Sequence, residues 1–118
     1  MYVGGDGKPR FGLQGPGNGF RFTVTGPTRV DDGRWHHVVG TYVPGVMRFY
    51  VDGRLAGERV DATAPFVYDG YWRVGRESLD AWPGEPGVYG FTGEVDTARV
   101  WYRALDQTAV EALYAQGR

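Results

Sequence analysis

The sequence predicts an all-β domain, an antiparallel β-sandwich that closes with one short C-terminal helix. Three observations support this prediction. Aromatic residues make up 15% of the 118 residues, which is typical of pleated, half-buried strands. Twenty glycines and seven prolines punctuate the chain, and through its first half turn signals recur about every eight to twelve residues, as in a sandwich. Apolar residues at helical spacing come at the end of the chain.

The predicted strands are short and are separated by turn residues. Residues 20–25 alternate large apolar with polar side chains, which indicates a strand with one buried face. Glycine, proline and asparagine at 15–19 predict a hairpin loop that connects it to a strand at 10–14. Large residues on both faces of 35–43 predict a central strand, with Trp35 in the core between the sheets. Further strands are predicted at 46–51, 54–60, 71–75 and 91–102, the last as one long strand or two that share a bend.

The end of the chain carries the signals of a helix. Asp106 is a good N-cap, and Gly117 is placed to end the helix. Between them an apolar stripe at helical spacing is formed by Ala109, Val110, Leu113 and Tyr114. We expect this stripe to pack against the sheet, with a partner helix as the weaker alternative.

Charge and composition exclude several classes of function. With 13 basic and 14 acidic residues the net charge is -1, whereas a nucleic-acid or membrane-surface binder needs a basic face. No apolar run approaches the length of a membrane span, and the first residues lack the apolar region of a signal peptide. The chain has no cysteine, which excludes disulfides, thiol nucleophiles and cysteine metal sites.

Four motifs in a fixed order carry a family resemblance. They read Gly33-Arg34-Trp35-His36-His37-Val38, Tyr50-Val51-Asp52-Gly53, Phe91-Thr92-Gly93-Glu94-Val95-Asp96 and Arg103-Ala104-Leu105. With them, residues 32–58 and 91–117 resemble the second half of a laminin G-like domain of the concanavalin A-like jelly-roll superfamily. The resemblance implies one jelly-roll domain over residues 1–118, truncated at its N-terminus relative to the family.

The resemblance also bears on how the chain would associate. Domains of this family carry further strands before the point where this chain starts, and those strands cover a sheet edge. An uncovered edge is a template for another chain. We therefore expect homodimerisation, or aggregation at high concentration, by strand pairing near 10–14 or 91–102.

The paired histidines and the Asp-Gly turn have simple structural interpretations. His36 and His37 invite a metal or acid-base role, but adjacent residues of a strand point to opposite faces, so one ion cannot easily bind both. Asp52 with Gly53 could supply an acidic ligand. A tight turn is the simpler interpretation, since aspartate bonds its own backbone and glycine accepts positive φ.

A carboxylate pair raises the question of catalysis. Glu94 and Asp96 would share one face of a strand, and jelly-roll glucanases related to the resembled family carry catalytic carboxylates as Glu-x-Asp-x-x-Glu. Arg99 takes the place of the second glutamate, and a cation cannot replace that carboxyl. We therefore expect no enzyme activity. The resemblance leaves Asp96 as a candidate calcium ligand, although calcium needs six to eight oxygens.

The loop at 78–89 holds the candidate ligand-binding residues Asp80, Trp82, Glu85 and Tyr89. An aromatic ring on a loop can stack on a sugar, and carboxylates can bind its hydroxyls. The alternative is that Trp82 folds back over the edge of the sandwich. A second aromatic cluster at Tyr68, Asp69, Tyr71 and Trp72 is predicted to lie in the core or at its rim.

The resulting functional hypothesis is a non-catalytic binding module. The resemblance implies recognition of a glycan or protein ligand, or adhesion, within a larger secreted or cell-surface protein, without nucleic acid and without membrane insertion. A ligand-free spacer domain is the first alternative, and a glycoside hydrolase relative is the second.

Overall fold

The computed structural model describes residues 1–17, 20–67 and 69–117. Asn18 and Gly19 of the predicted hairpin loop, and Tyr68 of the second aromatic cluster, lie outside the described residues. Within the described residues, six strands and one helix follow in chain order: β1 Tyr2–Val3, β2 Pro9–Gln14, β3 Arg21–Thr25, β4 Val38–Val43, β5 Gly45–Val51, β6 Arg54–Ala62 and α1 Gln107–Gln116.

The strands form two antiparallel sheets of three strands each. The first sheet has the order β1-β2-β3 and the second β4-β5-β6, so each strand pairs with its neighbour in sequence. Phe11 lies opposite Val24 in the first sheet, and Val39 opposite Tyr50 in the second. Asp52 and Gly53, both at positive φ, form the β5–β6 turn, as the sequence predicts.

The core lies between the two sheets, as the alternation along β5 requires. Met47, Phe49 and Val51 are buried on the inner face, whereas Arg48 between them is exposed. Phe11 of the first sheet packs near Phe49, with ring centroids 6.3 Å apart. The buried members of this core are Phe22, Val24, Met47, Phe49, Val51 and Ala62. The predicted β-sandwich is therefore confirmed.

The C-terminal helix covers the outer face of the second sheet. Val110 is fully buried and packs with Leu105, Val39 and Tyr50 in a second apolar cluster. The Asp106 carboxylate accepts a hydrogen bond from the Ala109 backbone N–H at 2.8 Å, which confirms the predicted N-cap. The backbone N–H of Gly117 ends the helix by donating to the Tyr114 carbonyl.

Several strand predictions in the second half of the chain are wrong. Instead of a strand at 71–75, the structure has one isolated bridge between Arg76 and Gly90. Residues 91–102 form no strand, and Thr97 lies at a φ of 55°, which no extended strand can accommodate. Apolar alternation predicts which face a strand would bury, but it does not ensure that a neighbouring strand is present to pair with it.

Three aromatic side chains are more exposed than predicted. The fourth strand begins at Val38, after Trp35, and leaves the Trp35 side chain 44% exposed at the rim rather than in the core. Tyr71 and Trp72 are almost fully exposed. Their segment forms no described strand, and this explains why these rings are not drawn into a core.

Candidate functional site

The predicted binding loop docks on the outer face of the first sheet. Phe11 and Leu13 of β2 turn toward the core, so Gly12 between them faces outward. The six-membered ring of Trp82 lies directly over Gly12, in the space that a Cβ would otherwise occupy. A glycine at position 12 is what allows this close approach, and it fixes the loop against the sheet.

Trp82 is held on more than one side. The Tyr2 ring meets it edge-on at a centroid distance of 5.9 Å. The guanidinium carbon of Arg21 lies 5.2 Å from the ring centroid, in a cation–π contact. The indole is therefore half-buried against the protein, on the outer face of the first sheet rather than over the edge of the sandwich. Trp82 anchors the loop and is poorly placed as a free stacking platform.

Backbone contacts strengthen this docking. The Tyr2 hydroxyl donates a hydrogen bond to the Pro83 carbonyl at 2.8 Å, and the Gly5 N–H donates to the Gly84 carbonyl at 3.1 Å. Arg21 donates to the carbonyl oxygen of Asp80 at 3.3 Å. Asp80 thus helps to position the loop through its backbone.

An ion pair between the buried Arg10 and the exposed Asp6 supports the loop from below. Arg10 is almost fully buried and donates two hydrogen bonds to the Asp6 carboxylate, at 2.7 and 2.8 Å. These hydrogen bonds hold the pKa of Asp6 far below its usual range. A Cβ at Gly84 would lie 2.5 Å from the Arg10 guanidinium. The loop backbone therefore rests directly on this ion pair.

Glu85 links the two ends of the loop. Its carboxylate accepts hydrogen bonds from the Ala81 backbone N–H and from the Tyr89 hydroxyl, both at 3.1 Å. Desolvation, followed by the hydrogen bond to Glu85, raises the pKa of Tyr89. Tyr89 is therefore a neutral hydroxyl at physiological pH, able to donate and to accept hydrogen bonds.

Beside Tyr89 lies an open hollow of about 330 Å³. Its rim is fixed by the bridge between Arg76 and Gly90 and by a 2.7 Å hydrogen bond from the Phe91 N–H to the Gly75 carbonyl. We call this the Tyr89 hollow; its lining residues are Arg73, Arg76, Glu77, Ser78 and Tyr89.

The lining of the Tyr89 hollow is rich in hydrogen-bonding groups. Arg73 donates to one oxygen of the Glu77 carboxylate at 2.8 Å, and the Ser78 backbone N–H donates to the other at 2.9 Å. Ser78 and Tyr89 contribute hydroxyls, and Arg76 contributes a second guanidinium. Such a surface can bind a ligand that presents several hydroxyl or carboxylate groups.

The four predicted ligand-binding residues thus separate into two groups. Tyr89 lines the hollow, and Glu85 touches it through the Tyr89 hydroxyl. Trp82 and the Asp80 backbone face the first sheet instead. Sequence reasoning missed Arg73, Arg76 and Ser78. Two arginines on either side of Gly75, next to the loop, were the signal that could have indicated them.

The candidate calcium ligand has little support around it. The exposed Asp96 carboxylate accepts a hydrogen bond from the Thr97 hydroxyl at 2.9 Å. Within residues 1–17, 20–67 and 69–117, no group of three histidine, aspartate or glutamate side chains is placed to hold a metal ion. One carboxylate falls far short of six to eight oxygens, so the described acidic and histidine side chains alone do not form a calcium site.

The structure also removes the geometric argument for catalysis by Glu94 and Asp96. Both residues are exposed on a segment without strand structure, so the argument that they share one strand face does not apply. Arg99 on the same segment is exposed as well. Nothing in this arrangement brings two carboxyls together across a cleft, as glycoside hydrolysis requires.

The two histidines point in different directions, as predicted. The His36 ring lies between the carboxylates of Asp32 and Asp52, whereas the His37 ring lies 6.0 Å from the Tyr114 ring of the helix. They do not converge on a common ligand. Asp52 forms the predicted turn, and its carboxylate is engaged by both histidine residues.

In the part of the chain that the structure describes, no helix has the length and apolar character needed to cross a membrane.

Comparison with known proteins identifies the fold. A family model of laminin G type, described as the Concanavalin A-like lectin/glucanases superfamily, matches residues 1–111. The solved structure of an S-layer domain-containing protein (residues 221–444) from Clostridium thermocellum aligns with a TM-score of 0.60 at 23% identity. The alignment covers 92% of this chain and 52% of that one, so the present chain spans about half of its neighbour. A search of curated proteins gave no match.

Proposed function

Since the chain belongs to the laminin G-like family of the concanavalin A-like lectin/glucanase superfamily, we propose that it is a non-catalytic module that binds glycans. The observation that carries the proposal is the Tyr89 hollow, a polar recess built on a loop that is itself fixed to the first sheet. Binding sites on loops that a rigid scaffold positions are a common arrangement.

The chemistry of the hollow suits a sugar. Its volume of about 330 Å³ lies at the lower end of the range for small-ligand pockets. Guanidinium groups and hydroxyls would bind the hydroxyl groups of a sugar, and the Tyr89 ring offers an apolar face beside them. In this proposal Tyr89, rather than Trp82, contacts the ligand, and Trp82 holds the loop in place.

Substitutions around the hollow test this proposal on a glycan array. We expect Arg76→Gln and Tyr89→Phe each to weaken binding, because each removes a hydrogen-bonding group. Loss of a hydrogen bond from a charged group costs about 1.5–3 kcal/mol, so Arg76→Gln should weaken binding by about tenfold or more. Arg103→Gln is the matched control, since Arg103 is an exposed arginine that does not line the hollow.

Four outcomes are informative. Binding that falls in the two hollow variants, at unchanged melting temperature, supports the proposal. Equal binding in all variants would mean that the binding site lies outside the Tyr89 hollow. A folded domain that binds no glycan on the array would favour the alternatives, a protein ligand or a ligand-free spacer. Hydrolysis of β-glucans that disappears in Glu94→Gln would instead establish the glycosidase alternative.

We also propose that the module works at the cell surface or outside the cell, as part of a larger protein. Glycan binding suits that location, and the structural neighbour is named as an S-layer domain-containing protein. Protease treatment of intact cells tests it. A surface-exposed module is cleaved while cytoplasmic markers remain intact, and protection of the module until the cells are lysed would contradict this location.

Self-association remains a proposal as well. The chain exposes 8225 Å², whereas a folded monomer of 13.1 kDa exposes about 6,400 Å². The excess of about 1,800 Å² includes exposed apolar side chains between residues 66 and 102, which a second copy would cover in part. Light scattering after size-exclusion chromatography should therefore show a dimer at high concentration, and a monomer at every concentration would contradict this.

The candidate contact surface between two copies is smaller than the one that the sequence predicts. The short β1 pairs with β2 at Pro9 and Arg10, and the Phe66 N–H donates to the Gln14 carbonyl at 2.7 Å, which leaves an edge near Phe11 to Leu13. The positive φ of Thr97 interrupts a pairing edge along 91–102. Dimerisation through the edge of β2 is thus the better supported of the two predicted sites.

A further inference from the structure

A histidine held between two carboxylates lies where the C-terminal helix meets the second sheet. His36 Nδ1 is 2.8 Å from Asp52 Oδ2, and His36 Nε2 is 3.0 Å from Asp32 Oδ1. The His36 side chain is only 18% exposed. We call these three residues the His36 clamp. None of them lines the Tyr89 hollow, and the proposed glycan binding does not use them.

The protonation state of His36 follows from its partners. Carboxylate oxygens only accept hydrogen bonds, and a neutral imidazole donates from just one of its two nitrogens. Both contacts of the clamp can therefore form as hydrogen bonds only when His36 is an imidazolium. Burial lowers the pKa of His36, but the hydrogen bonds and charges of Asp52 and Asp32 outweigh it, and the net result is a raised pKa.

Two other charged or titratable groups lie against the clamp. Arg34 Nε is 3.9 Å from the second oxygen of Asp32, so it shares that carboxylate with His36. The backbone N–H of His37 donates to Asp52 Oδ1 at 2.9 Å. The His37 ring has its pKa lowered by burial, with the Asp52 charge opposing that shift, so its titration acts in the opposite sense to that of His36.

The clamp fixes the β5–β6 turn, and the helix rests on that turn. Asp52, at a φ of 51°, donates its N–H to the His37 carbonyl at 2.8 Å. The next residue, Gly53, accepts a 2.8 Å hydrogen bond from the Gln107 side chain at the start of α1. A Cβ at Gly53 would lie 2.9 Å from the Tyr114 ring. The turn therefore contacts α1 near both of its ends.

We propose that the His36 clamp is a pH-dependent contact that strengthens the packing of α1 on the second sheet when His36 is protonated and weakens it when the proton leaves. On deprotonation, one ring nitrogen presents a lone pair to a carboxylate oxygen about 3 Å away, and that contact becomes repulsive. The Asp52 side chain then turns away, and the contacts of the β5–β6 turn with α1 are weakened, while Val110 and Leu105 still pack with Val39 and Tyr50.

The direction of the pH dependence follows from the raised pKa. A histidine whose pKa is higher in the folded than in the unfolded state stabilises the fold fully below its unfolded pKa, near 6.5. This stabilisation is lost as the pH rises through the folded pKa of His36. The lowered pKa of His37 has the opposite effect, since its destabilising contribution disappears as the pH rises toward 6.5. Comparing variants at His36 with the wild type removes the His37 contribution, which both proteins share.

Hydrogen exchange of the α1 amides between pH 5.5 and 9, corrected for the intrinsic rate at each pH, tests the proposal. In the wild type we expect the opening constant of α1 to rise at least fivefold across this range, while the amides of β2 and β3 change little. In His36→Gln the helix should be open to a similar extent at every pH, because glutamine does not titrate. His37→Gln is the control and should keep the pH dependence of α1.

Asp32→Asn provides a second test of the proposal if His36→Gln fails to fold. It leaves the Asp52 contact in place and should shift the loss of α1 protection to lower pH. An NMR titration of the His36 ring gives a second readout in the wild-type protein, and its midpoint should lie above the ordinary value near 6.5. An α1 opening constant that is independent of pH, or a His36 ring that is neutral at pH 6, would overturn the proposal.

Discussion

The packing of the two sheets against each other is tested most sharply at Gly40. This residue lies on the inner face of β4, and a Cβ added there would lie 2.6 Å from Phe11 Cδ2 and 2.7 Å from Phe11 Cγ. Ordinary contacts of this kind are at 3.4 Å or more. Gly40→Ala therefore has to push the Phe11 ring by most of an ångström, in a core where that ring also packs against Phe49.

The expected cost is that of overpacking, about 1–3 kcal/mol. Set against a total stability of about 5–15 kcal/mol, this leaves a folded but weaker domain. At about 4 °C per kcal/mol for a domain of this size, the melting temperature should fall by roughly 4–12 °C. Thermal unfolding followed by circular dichroism, together with urea unfolding, measures the change.

A double-mutant cycle with Phe11→Ala isolates the contact. Once the ring is removed, the new methyl group enters empty space, so the cost of Gly40→Ala should largely disappear and the coupling energy should approach that cost. Gly87→Ala is the matched control, since a Cβ at Gly87 meets no atom within 4 Å. Additive effects of the two substitutions would show that Phe11 and Gly40 do not touch, and would refute the described packing of the sheets.

Three further substitutions test the core and the helix. Phe49→Ala should lower the free energy of unfolding by about 3–5 kcal/mol, because the ring is fully buried. Trp35→Ala should lower it clearly less, because the Trp35 side chain is partly exposed. Equal losses in urea unfolding would restore the prediction that Trp35 lies in the core. Asp106→Ala removes the N-cap of α1 and should cost about 1 kcal/mol, and unchanged stability in the same assay would mean that the cap contributes nothing.

The fold could be predicted from the sequence wherever the signals are local. The alternation at Arg21–Thr25, the Asp52 and Gly53 turn and the two helix caps each depend on neighbouring residues, and the structure confirms them. The strands expected at 71–75 and 91–102 depend on partners elsewhere in the chain. Apolar alternation shows which residues could be buried, and it does not show whether another strand is there to pair with them.

The candidate site, like the fold, could be predicted from the sequence only where the signals are local. Tyr89 and Glu85 were placed correctly on a loop, because glycine and proline signal a loop locally. That Trp82 would cover Gly12 depends on a contact between residues seventy positions apart, and no local pattern predicts such a contact. The contacts of His36 are unpredictable for a related reason, since its two carboxylate partners come from different turns.

The central claim, that the Tyr89 hollow binds a glycan, is tested most directly by NMR. The ¹⁵N-labelled domain is titrated with the glycan that gives the strongest array signal, and amide shift changes are mapped onto the sequence. We expect the changes to cluster at 73–78 and 89–90, with little change in β4, β5 and α1. Saturable changes that cluster on the helix or the second sheet, or no changes at all at millimolar glycan, would contradict the claim.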